Sequence, residues 1–288
     1  MNGLVTGGAG FIGSHLVGKL NQMGVVPRVF DDLSSGDLNN LKGFDYTFFK
    51  GDIGNFDQLL TATQGCELIF HQAALVSVPQ SIDQPHLNHK SNVTGSYHIF
   101  EAARQAGVRR IVYASSAAVY GQNPTLPYHE SACPAPNTPY ALGKKTGETL
   151  AEIYHDLYGL EAICLRYMNV YGVRQRANSH YSGVISLFCK AAKQNGRCTL
   201  YGDGEQTRDF IYVSDIVNAN IQAAYTPWAE LHGQKIFNIG SGIQTSLNQI
   251  IHILGKLRGK QMDVANVPER NGDIRYSVAN ITAAKQYL

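Results

Sequence analysis

The stretch Thr6-Gly7-Gly8-Ala9-Gly10-Phe11-Ile12-Gly13 decides the fold of this chain. It follows the apolar pair Leu4-Val5, typical of the end of a buried strand, and it contains the pattern G-x-G-x-x-G. Glycines at this spacing allow a tight turn and a close approach of the backbone to a pyrophosphate. A helix is predicted next, because apolar residues recur at helical spacing, at Leu16, Val17 and Leu20. Strand, turn and helix together predict a dinucleotide site with its phosphates at the helix N-terminus.

An acidic residue stands where the ribose of a dinucleotide would lie. A second apolar run, residues 25–30, ends in Asp31-Asp32, and Asp31 follows Gly13 by 18 residues. An acid at about this distance bonds the ribose hydroxyls. Its charge repels the 2′-phosphate of NADP, so the sequence favours NAD. A glycine-rich turn without a nucleotide is the weaker alternative, because strand, helix and acid occur in the expected order.

Strands and helices alternate through the first two thirds of the chain. Strands are predicted within residues 46–53, 67–74, 110–114 and 161–167, and helices within 55–62, 88–106 and 140–158. This order predicts an α/β fold with a doubly wound parallel sheet of the Rossmann type. From about Tyr171 polar and glycine-rich segments dominate. We therefore predict an NAD-binding domain at residues 1–170. A smaller C-terminal domain at residues 171–288 is predicted to be mainly substrate-binding, with some segments returning to the first.

The composition limits the classes of function. A chain of 288 residues with 44% hydrophobic content is long enough to bury a large core. The net charge of +2 and the lack of a Lys/Arg run give no indication of nucleic-acid binding. There is no apolar run of 18 residues and no basic leader ahead of the glycines, so a cytoplasmic protein without a membrane partner is expected.

Cysteine and histidine patterns give no indication of a disulfide framework or a metal site. The five cysteines are odd in number and form no C-x-x-C pair, which indicates reduced thiols. The pair His86 and His89 has ligand-like spacing but no nearby Cys or Glu set, so a surface helix is favoured over a metal.

Tyr140 and Lys144 form a second informative pattern, downstream of Ser116. Four residues apart, their side chains share one face of a helix that is predicted to begin at Asn137-Thr138-Pro139. An ammonium beside a phenol favours the phenolate, and a tyrosine base at neutral pH needs about 4 kcal/mol of such stabilisation. Alone, Tyr-x-x-x-Lys is common and weak, and a solvated helix face is the alternative. Together with the glycine-rich turn, it predicts a catalytic set of Ser116, Tyr140 and Lys144.

The chain resembles the extended short-chain dehydrogenase/reductase family over nearly its whole length. Five ordered motifs carry the resemblance: residues 6–13, Ser115-Ser-Ala-Ala-Val-Tyr-Gly121, Pro139-Tyr-Ala-Leu-Gly-Lys144, Leu165-Arg-Tyr-Met-Asn-Val-Tyr-Gly172 and Gln206-Thr-Arg-Asp-Phe-Ile-Tyr-Val-Ser-Asp215. Within the family it is most similar to nucleotide-sugar 4-epimerases, particularly those that act on UDP-N-acetylhexosamines.

The resemblance implies roles at the matching positions. Ser116 would hydrogen-bond O4 of the sugar, Tyr140 would take its proton, and Lys144 would bond the nicotinamide ribose and lower the pKa of Tyr140. The residues implied to bind NAD, tightly, are Gly7, Gly10, Phe11, Ile12, Gly13, Asp31, Asp32, Asp52, Ile53, Ala73, Ala74, Tyr140 and Lys144. Those implied to bind the UDP-sugar are Ser77, Ser116, Tyr140, Asn169, Arg208, Arg270 and Ser277. For either arginine alone, a surface ion pair is an equally good interpretation.

The implied reaction is inversion at C4 of a UDP-hexose through a 4-keto sugar. Related 4,6-dehydratases carry an Asp-Glu pair where this chain has Ala117-Ala118, and related decarboxylases carry a glutamate at the second position. Ser277 matches a position that is bulky in epimerases restricted to UDP-glucose and UDP-galactose. A small residue there leaves room for a 2-acetamido group, which favours UDP-N-acetylglucosamine and UDP-N-acetylgalactosamine. The start of a strand is the structural alternative for Ser277.

Two other classes stay open. A reductase, C5-epimerase or decarboxylase of the same family would use the same three residues, but net redox would need exchangeable NADP(H), which Asp31 disfavours. A non-catalytic NAD sensor would keep the glycines but has no reason to keep Ser116, Tyr140 and Lys144 together. The family also implies polysaccharide biosynthesis and a homodimer through helices 88–106 and 140–158.

Overall fold

The computed structural model describes residues 2–177, 183–194, 196–269 and 274–288. Its strands are β1 Gly3–Thr6, β2 Arg28–Asp31, β3 Thr47–Lys50, β4 Leu68–His71, β5 Arg110–Ser116, β6 Glu161–Tyr167, β7 Asn169–Tyr171, β8 Cys198–Tyr201, β9 Thr207–Arg208, β10 Phe210–Tyr212, β11 Ile236–Ile239, β12 Thr245–Ser246 and β13 Val264–Val267.

The α-helices follow the expected alternation with the strands. They are α1 Phe11–Gln22, α2 Phe56–Thr63, α3 Val78–Asp83, α4 Pro85–Asn88, α5 Gly95–Ala106, α6 Pro139–Tyr158, α7 Val184–Lys193, α8 Val213–Tyr225, α9 Leu247–Arg258 and α10 Thr282–Tyr287. Within the described ranges, no helix combines the length and the apolar character needed to cross a bilayer.

The central sheet has seven parallel strands in the order β11-β6-β5-β4-β1-β2-β3. The predicted α/β fold with a doubly wound parallel sheet is confirmed. The chain runs outward from β1 through β2 and β3 and then returns to β4 on the other side of β1. At such a reversal of strand order, the carboxyl ends of the two central strands open a crevice that binds ligands. Thr6 and His71 face each other in register at this edge.

Helices cover both faces of the sheet. Because successive side chains of a strand point to opposite faces, each buried strand contributes to two apolar layers. One layer joins the sheet to α1 and α8, through Val5, Phe70, Val112, Leu16, Val17 and Val217. The other joins it to α2, α5 and α6, through Leu4, Ile69, Ile111, Leu59, Phe100 and Tyr154. Burial on both faces explains why these strands are apolar along their length rather than alternating.

A third, smaller core lies among α7, α9, β8 and β13, around Phe188, Cys198, Leu200, Leu247 and Met262. Two later segments nevertheless belong to the main sheet. Strand β11 pairs in parallel with β6, and α8 packs against α1. The domain boundary at residue 170 stays a prediction, with β11 and α8 as segments that return.

The predicted helix 88–106 differs from the structure, because a π-helical segment, His89–Thr94, connects α4 to α5. Asn92 is buried in this widened turn. Its Oδ1 accepts a hydrogen bond from Leu75 N at 2.9 Å, and its Nδ2 donates one to Leu75 O at 2.8 Å. π-Helical turns are frequent near functional sites. This one fixes the loop that leaves β4 at the crevice.

Candidate active site

The glycine-rich turn between β1 and α1 is closed by its own backbone. Gly7 has a φ of +65°, a conformation that favours glycine, and its N donates a hydrogen bond to Phe30 O at 2.8 Å. A Cβ on Gly7 would lie 2.8 Å from Ala73 N, and one on Gly13 would collide with the carbonyl oxygen of Gly7. The structure therefore brings the predicted glycines and the loop after β4 into direct contact. Phe11 and Ile12 begin α1 at this turn.

Asp31 ends β2 beside the glycine-rich turn and is 6% exposed. Its Oδ2 accepts a hydrogen bond from Ala9 N at 2.9 Å, and its Oδ1 accepts one from Leu33 N at 2.8 Å. Burial raises the pKa of Asp31, while these two backbone hydrogen bonds act against the rise. The neighbouring Asp32 is exposed and bonds Ser34 instead. Asp31, which the sequence predicts to bind the ribose, thus also stabilises the glycine-rich turn.

The next predicted cofactor pair follows β3. Asp52 Oδ1 accepts a hydrogen bond from Gly54 N at 2.7 Å, and its Oδ2 forms an ion pair with Lys90 at 2.5 Å. Burial works to raise the pKa of Asp52, but the hydrogen bonds from Lys90 and Gly54 lower it overall. Ile53 is buried in close contact with Gly95 at the start of α5.

Ser116 and Tyr140 meet at the carboxyl edge of the sheet. Ser116 ends β5, and its Oγ accepts a hydrogen bond from Ala118 N at 3.2 Å. Tyr140 lies in the first turn of α6, which Thr138 caps by accepting from Ala141 N, as the sequence predicted. The Ser116 side chain lies close enough to the Tyr140 phenol to influence its pKa. Burial raises the pKa of Tyr140, and Ser116 offsets this only in part.

Lys144 lies one helical turn after Tyr140 and is 4% exposed. Its Nζ donates a hydrogen bond to Ala114 O at 2.7 Å and lies 5.9 Å from the centre of the Tyr140 ring. Burial lowers the pKa of Lys144 to about 8. In the protein without NAD, burial thus decides the direction of the Tyr140 pKa shift, and the lowering expected from Lys144 together with the bound cofactor stays a prediction.

Three of the predicted substrate residues, Asn169, Arg208 and Ser277, belong to segments that meet at the buried Asp209. Its Oδ1 accepts hydrogen bonds from Ser241 N and Oγ, both at 2.7 Å, and its Oδ2 accepts from Gly242 N at 3.0 Å and Ala279 N at 3.2 Å. Its backbone oxygen accepts from Asn169 N at 2.9 Å. Asp209 adjoins Arg208 in the chain, and Ser277 lies two residues before Ala279. Asp209 therefore joins the segment of Arg208 to that of Ser277 through its side chain, and to that of Asn169 through its backbone oxygen.

The remaining predicted residues have less distinctive surroundings. Ser77 is buried at the start of α3, and its Oγ accepts from Gln80 N at 3.1 Å as a helix cap. Ala74 is half-buried in the loop after β4. Arg208 is half-buried, with Nη1 donating to Thr207 O at 2.9 Å. Arg270 lies outside the described residues.

A comparison with known protein families agrees with the fold, the glycine-rich turn and the Ser116–Tyr140–Lys144 arrangement. The profile of the NAD dependent epimerase/dehydratase family matches residues 3–240. The chain belongs to this NAD-dependent family. The resemblance predicted from the five motifs is thereby confirmed, and NAD is the cofactor.

Known proteins resemble this epimerase/dehydratase along nearly its whole length. A UDP-glucose 4-epimerase of Mycolicibacterium smegmatis is 38% identical, over 100% of this chain and 92% of that protein. The UDP-N-acetylglucosamine 4-epimerase from Methanobrevibacter ruminantium M1, solved in complex with UDP-N-acetylmuramic acid, has a TM-score of 0.94 and 37% identity, covering 99% of this chain and 91% of that one. The UDP-glucose 4-epimerase of Thermus thermophilus, solved with NAD, has a TM-score of 0.91 and 34% identity, covering 99% and 92%.

The residues of this family member fit NAD. The turn has glycines where side chains would obstruct a pyrophosphate. A Cβ on Gly7 or Gly13 would also collide with neighbouring backbone atoms. The N-terminus of α1, which favours anions, follows directly, and an acid ends β2. Gly7, Gly10, Gly13, Asp31 and Ala73 are thus the residues that would hold the nucleotide.

Sequence reasoning missed two residues of this epimerase/dehydratase. His71 is buried under Lys144, with Nδ1 in a 2.8 Å hydrogen bond with Thr6 Oγ1, and its ring stacks on Tyr113 at 5.5 Å. Burial, and then the charge of Lys144, lower the pKa of His71 to about 3, so its imidazole is neutral. In the sequence, the position of His71 at the end of an apolar strand was the feature that could have pointed to it.

The second missed residue is Tyr128, which is 1% exposed and stacks on Tyr120 with ring centres 4.6 Å apart. Its backbone bonds Val278 O and Asn280 N at 2.8 Å, beside the segment of Ser277. Burial raises the pKa of Tyr128, and the charge of Arg208 acts against the rise. Among the described residues its hydroxyl has no hydrogen-bond partner. No local sequence pattern marks this tyrosine.

Proposed function

We propose that this protein is a UDP-sugar 4-epimerase, an isomerase that inverts C4 of a UDP-hexose through a 4-keto intermediate with tightly held NAD. The observation that carries the proposal is that Ser116, Tyr140 and Lys144 lie together at the carboxyl edge of a sheet that carries the glycine-rich turn. The relatives named as UDP-sugar 4-epimerases support it.

The proton chemistry belongs to the protein. Tyr140 takes the proton of the C4 hydroxyl and later returns it to the same oxygen, so that no net acid or base is consumed. Ser116 donates a hydrogen bond to that oxygen and holds it against Tyr140. Lys144 supplies positive charge on the same helix face, which favours the phenolate. Bound NAD would supply the redox chemistry at C4, as hydride acceptor in its oxidised form and as hydride donor in its reduced form.

The surroundings of the three residues favour epimerisation over elimination. The residues after Ser116 are Ala117 and Ala118, in a short 3₁₀ turn. Neither side chain can protonate a leaving hydroxyl or abstract a second proton. A 4,6-dehydratase needs both operations, so the site of this chain supports redox at C4 alone.

We propose that the substrate is held through its diphosphate and selected at C2. Asn169 bonds the backbone oxygen of Asp209 through its backbone N, and Arg208 directly precedes Asp209 in the chain. Both would bind the UDP portion, the arginine through its guanidinium. Ser277 is small and lies two residues before Ala279, whose N bonds the Asp209 carboxylate. The small side chain of Ser277 favours UDP-N-acetylglucosamine and UDP-N-acetylgalactosamine as substrates, with UDP-glucose and UDP-galactose as further substrates. Polysaccharide biosynthesis in the cytoplasm is the proposed setting.

A second copy of the chain is the proposed partner. On α6, Leu142, Ile153 and Leu157 are 55%, 44% and 68% exposed, and their spacing places them on one stripe. Tyr97 on the adjacent α5 is 49% exposed. Burial of this face between two copies would give the family's homodimer. Leu157→Glu should halve the mass measured by light scattering, and an unchanged mass would argue against this interface.

Proton NMR of the purified protein with UDP-N-acetylglucosamine, and separately with UDP-glucose, tests the proposal. Without added cofactor, the anomeric signal of the galacto epimer should grow in, which would show both the activity and the retained NAD. If neither sugar changes even with added NAD, the proposed reaction is wrong. Consumption of NADPH with a keto sugar would instead indicate a reductase.

A further inference from the structure

A cleft of about 420 Å³ lies between α1 and α8. Its lining includes His15, Lys19, Phe44, Arg174, Ser214 and Asn218. Tyr140, Lys144 and Ser116 are not among the residues that line it. The volume lies within the range of small-molecule sites, roughly 300 to 1,000 Å³.

The cleft is lined by positive charge without compensating acid. Lys19 is half-buried, and its side chain makes no hydrogen bond or ion pair with any described residue. Arg174 is half-buried, donates from Nη1 to Ser14 Oγ at 3.3 Å, and lies over the Phe44 ring at 5.3 Å from its centre. Within the described part of the chain, no carboxylate lines the cleft. Half-buried cations that lack a counter-charge attract an anion from solution, because the protein screens their field less than water does.

The backbone holds Arg174 in a disfavoured conformation. Its φ is +67°, in the left-handed region that arginine rarely adopts. The preceding carbonyl, Val173 O, accepts a hydrogen bond from His15 Nε2 at 3.0 Å, which anchors the loop to α1. Strained non-glycine residues persist where the surroundings fix them, and they cluster at functional sites. In this conformation the guanidinium of Arg174 bonds Ser14 on α1.

We propose that this cleft binds a phosphate-bearing small molecule, at a second site separate from the UDP-sugar site. Lys19 and Arg174 together match the charge of a phosphomonoester at neutral pH, about −1.5 to −2. Ser214 and Asn218 supply hydrogen bonds to its oxygens. The volume exceeds what inorganic phosphate fills, so the ligand carries an organic portion.

Amide-resolved NMR of the isotope-labelled holoenzyme, with UDP present to fill the substrate site, tests this assignment. The probes are glycerol 3-phosphate, inorganic phosphate and glycerol. We expect saturable shifts at Gly18, Lys19 and Arg174 with glycerol 3-phosphate, weaker binding of phosphate, and none of glycerol. Lys19→Gln and Arg174→Gln should each weaken binding about tenfold, the loss expected for one charge-assisted hydrogen bond. Lys193→Gln, an exposed lysine on α7, is the matched control.

Three results would overturn the proposal. Shifts that rise linearly without saturation would mean that there is no site. Equal affinity in wild type and in Lys19→Gln, with unchanged melting temperature, would mean that the cleft does not bind the anion. Equal affinity for phosphate and glycerol 3-phosphate would remove the assignment to a phosphomonoester. None of these results depends on whether the protein epimerises UDP-sugars.

Discussion

The carboxylate of Glu148 and the guanidinium of Arg166 form a two-point ion pair inside the protein, with both hydrogen bonds at 2.8 Å. Both side chains are buried. Ser115 Oγ donates a third hydrogen bond to the same carboxylate at 2.6 Å. Glu148 lies one turn beyond Lys144 on α6, and Ser115 precedes Ser116 on β5. Glu148 therefore fixes the helix of Tyr140 and Lys144 against β6 through Arg166, and against the end of β5 that carries Ser116 through Ser115.

Glu148→Gln should lower the free energy of unfolding by roughly 3 to 5 kcal/mol, because it leaves the charge of Arg166 buried without its partner. Urea denaturation measures the change. Glu152→Gln, an exposed glutamate on the same helix, is the control and should be close to wild type. Equal stability of the two variants would show that the pair does not support the site.

Tyr140→Phe should reduce turnover of the UDP-hexose by roughly 10²- to 10⁴-fold, the usual contribution of a positioned acid–base group. The ring and its packing are retained, so NAD content and UDP affinity should stay at wild-type values. Turnover is followed by NMR, and NAD by its absorbance after denaturation. Tyr158→Phe, an exposed tyrosine on the same helix, should leave all three unchanged. Full activity of Tyr140→Phe would remove this residue as the base.

His71 should make the fold sensitive to acid. Its pKa is about 3 in the folded protein, lowered by burial, against about 6.5 when unfolded. Between these values the unfolded state binds a proton that the folded state does not, so stability is full above pH ~6.5 and falls as the pH drops toward ~3. The upper limit of the loss is roughly 4 to 5 kcal/mol.

In His71→Asn, the side-chain oxygen can still accept from Thr6, but nothing titrates at this position. The unfolding free energy of this variant, measured between pH 4 and pH 7, should therefore change less with pH than that of wild type. His86→Asn, at an exposed histidine, should follow wild type. Parallel curves for His71→Asn and wild type would contradict the low pKa.

Asp209→Asn should weaken binding of the UDP-sugar without releasing NAD. The amide places a donor where the carboxylate accepts hydrogen bonds from backbone N–H groups, so the segments of Arg208 and Ser277 lose their common support. Loss of one such bond to a charged group, about 1.5 to 3 kcal/mol, predicts a rise in KM of roughly 10- to 100-fold. Asp215→Asn, at an exposed acid on α8, is the control. A drop in NAD content would instead indicate general unfolding.

Ser277→Tyr should suppress turnover of UDP-N-acetylglucosamine more than that of UDP-glucose. The larger ring would occupy the space proposed for the acetamido group, whereas a C2 hydroxyl needs less room. The ratio of the two kcat/KM values, measured also for Ser277→Ala, gives the change. An equal loss on both sugars would show that Ser277 does not select the substituent.

Local patterns in the sequence predicted the features that depend on neighbours in the chain. The glycine-rich turn, Asp31 at a strand end and the Thr138 cap all follow from residues within a few positions of one another. By contrast, the bonds from Asp209 to Ser241 and Ala279 join positions 32 and 70 residues apart. Such pairings depend on tertiary packing, which composition and periodicity do not specify.

The pKa of Tyr140 is a second property that spacing along the sequence does not predict. The sequence places Lys144 one turn away, which predicts a lowered pKa. The shift in the folded chain depends instead on burial of the phenol, which raises the pKa, and on Ser116, which lowers it. Neither quantity can be read from spacing along a helix.

Strand β11 has a consequence for protein engineering. It adds to the edge of the main sheet beside β6, although the chain has already passed through β8 and will return through α9 and β13 to the smaller core. A cut at residue 170 would separate β11 and α8 from the strands and helices they pack against. A chimera that exchanges sugar preference with a relative must therefore transplant several short segments, since no single contiguous fragment carries the smaller core alone.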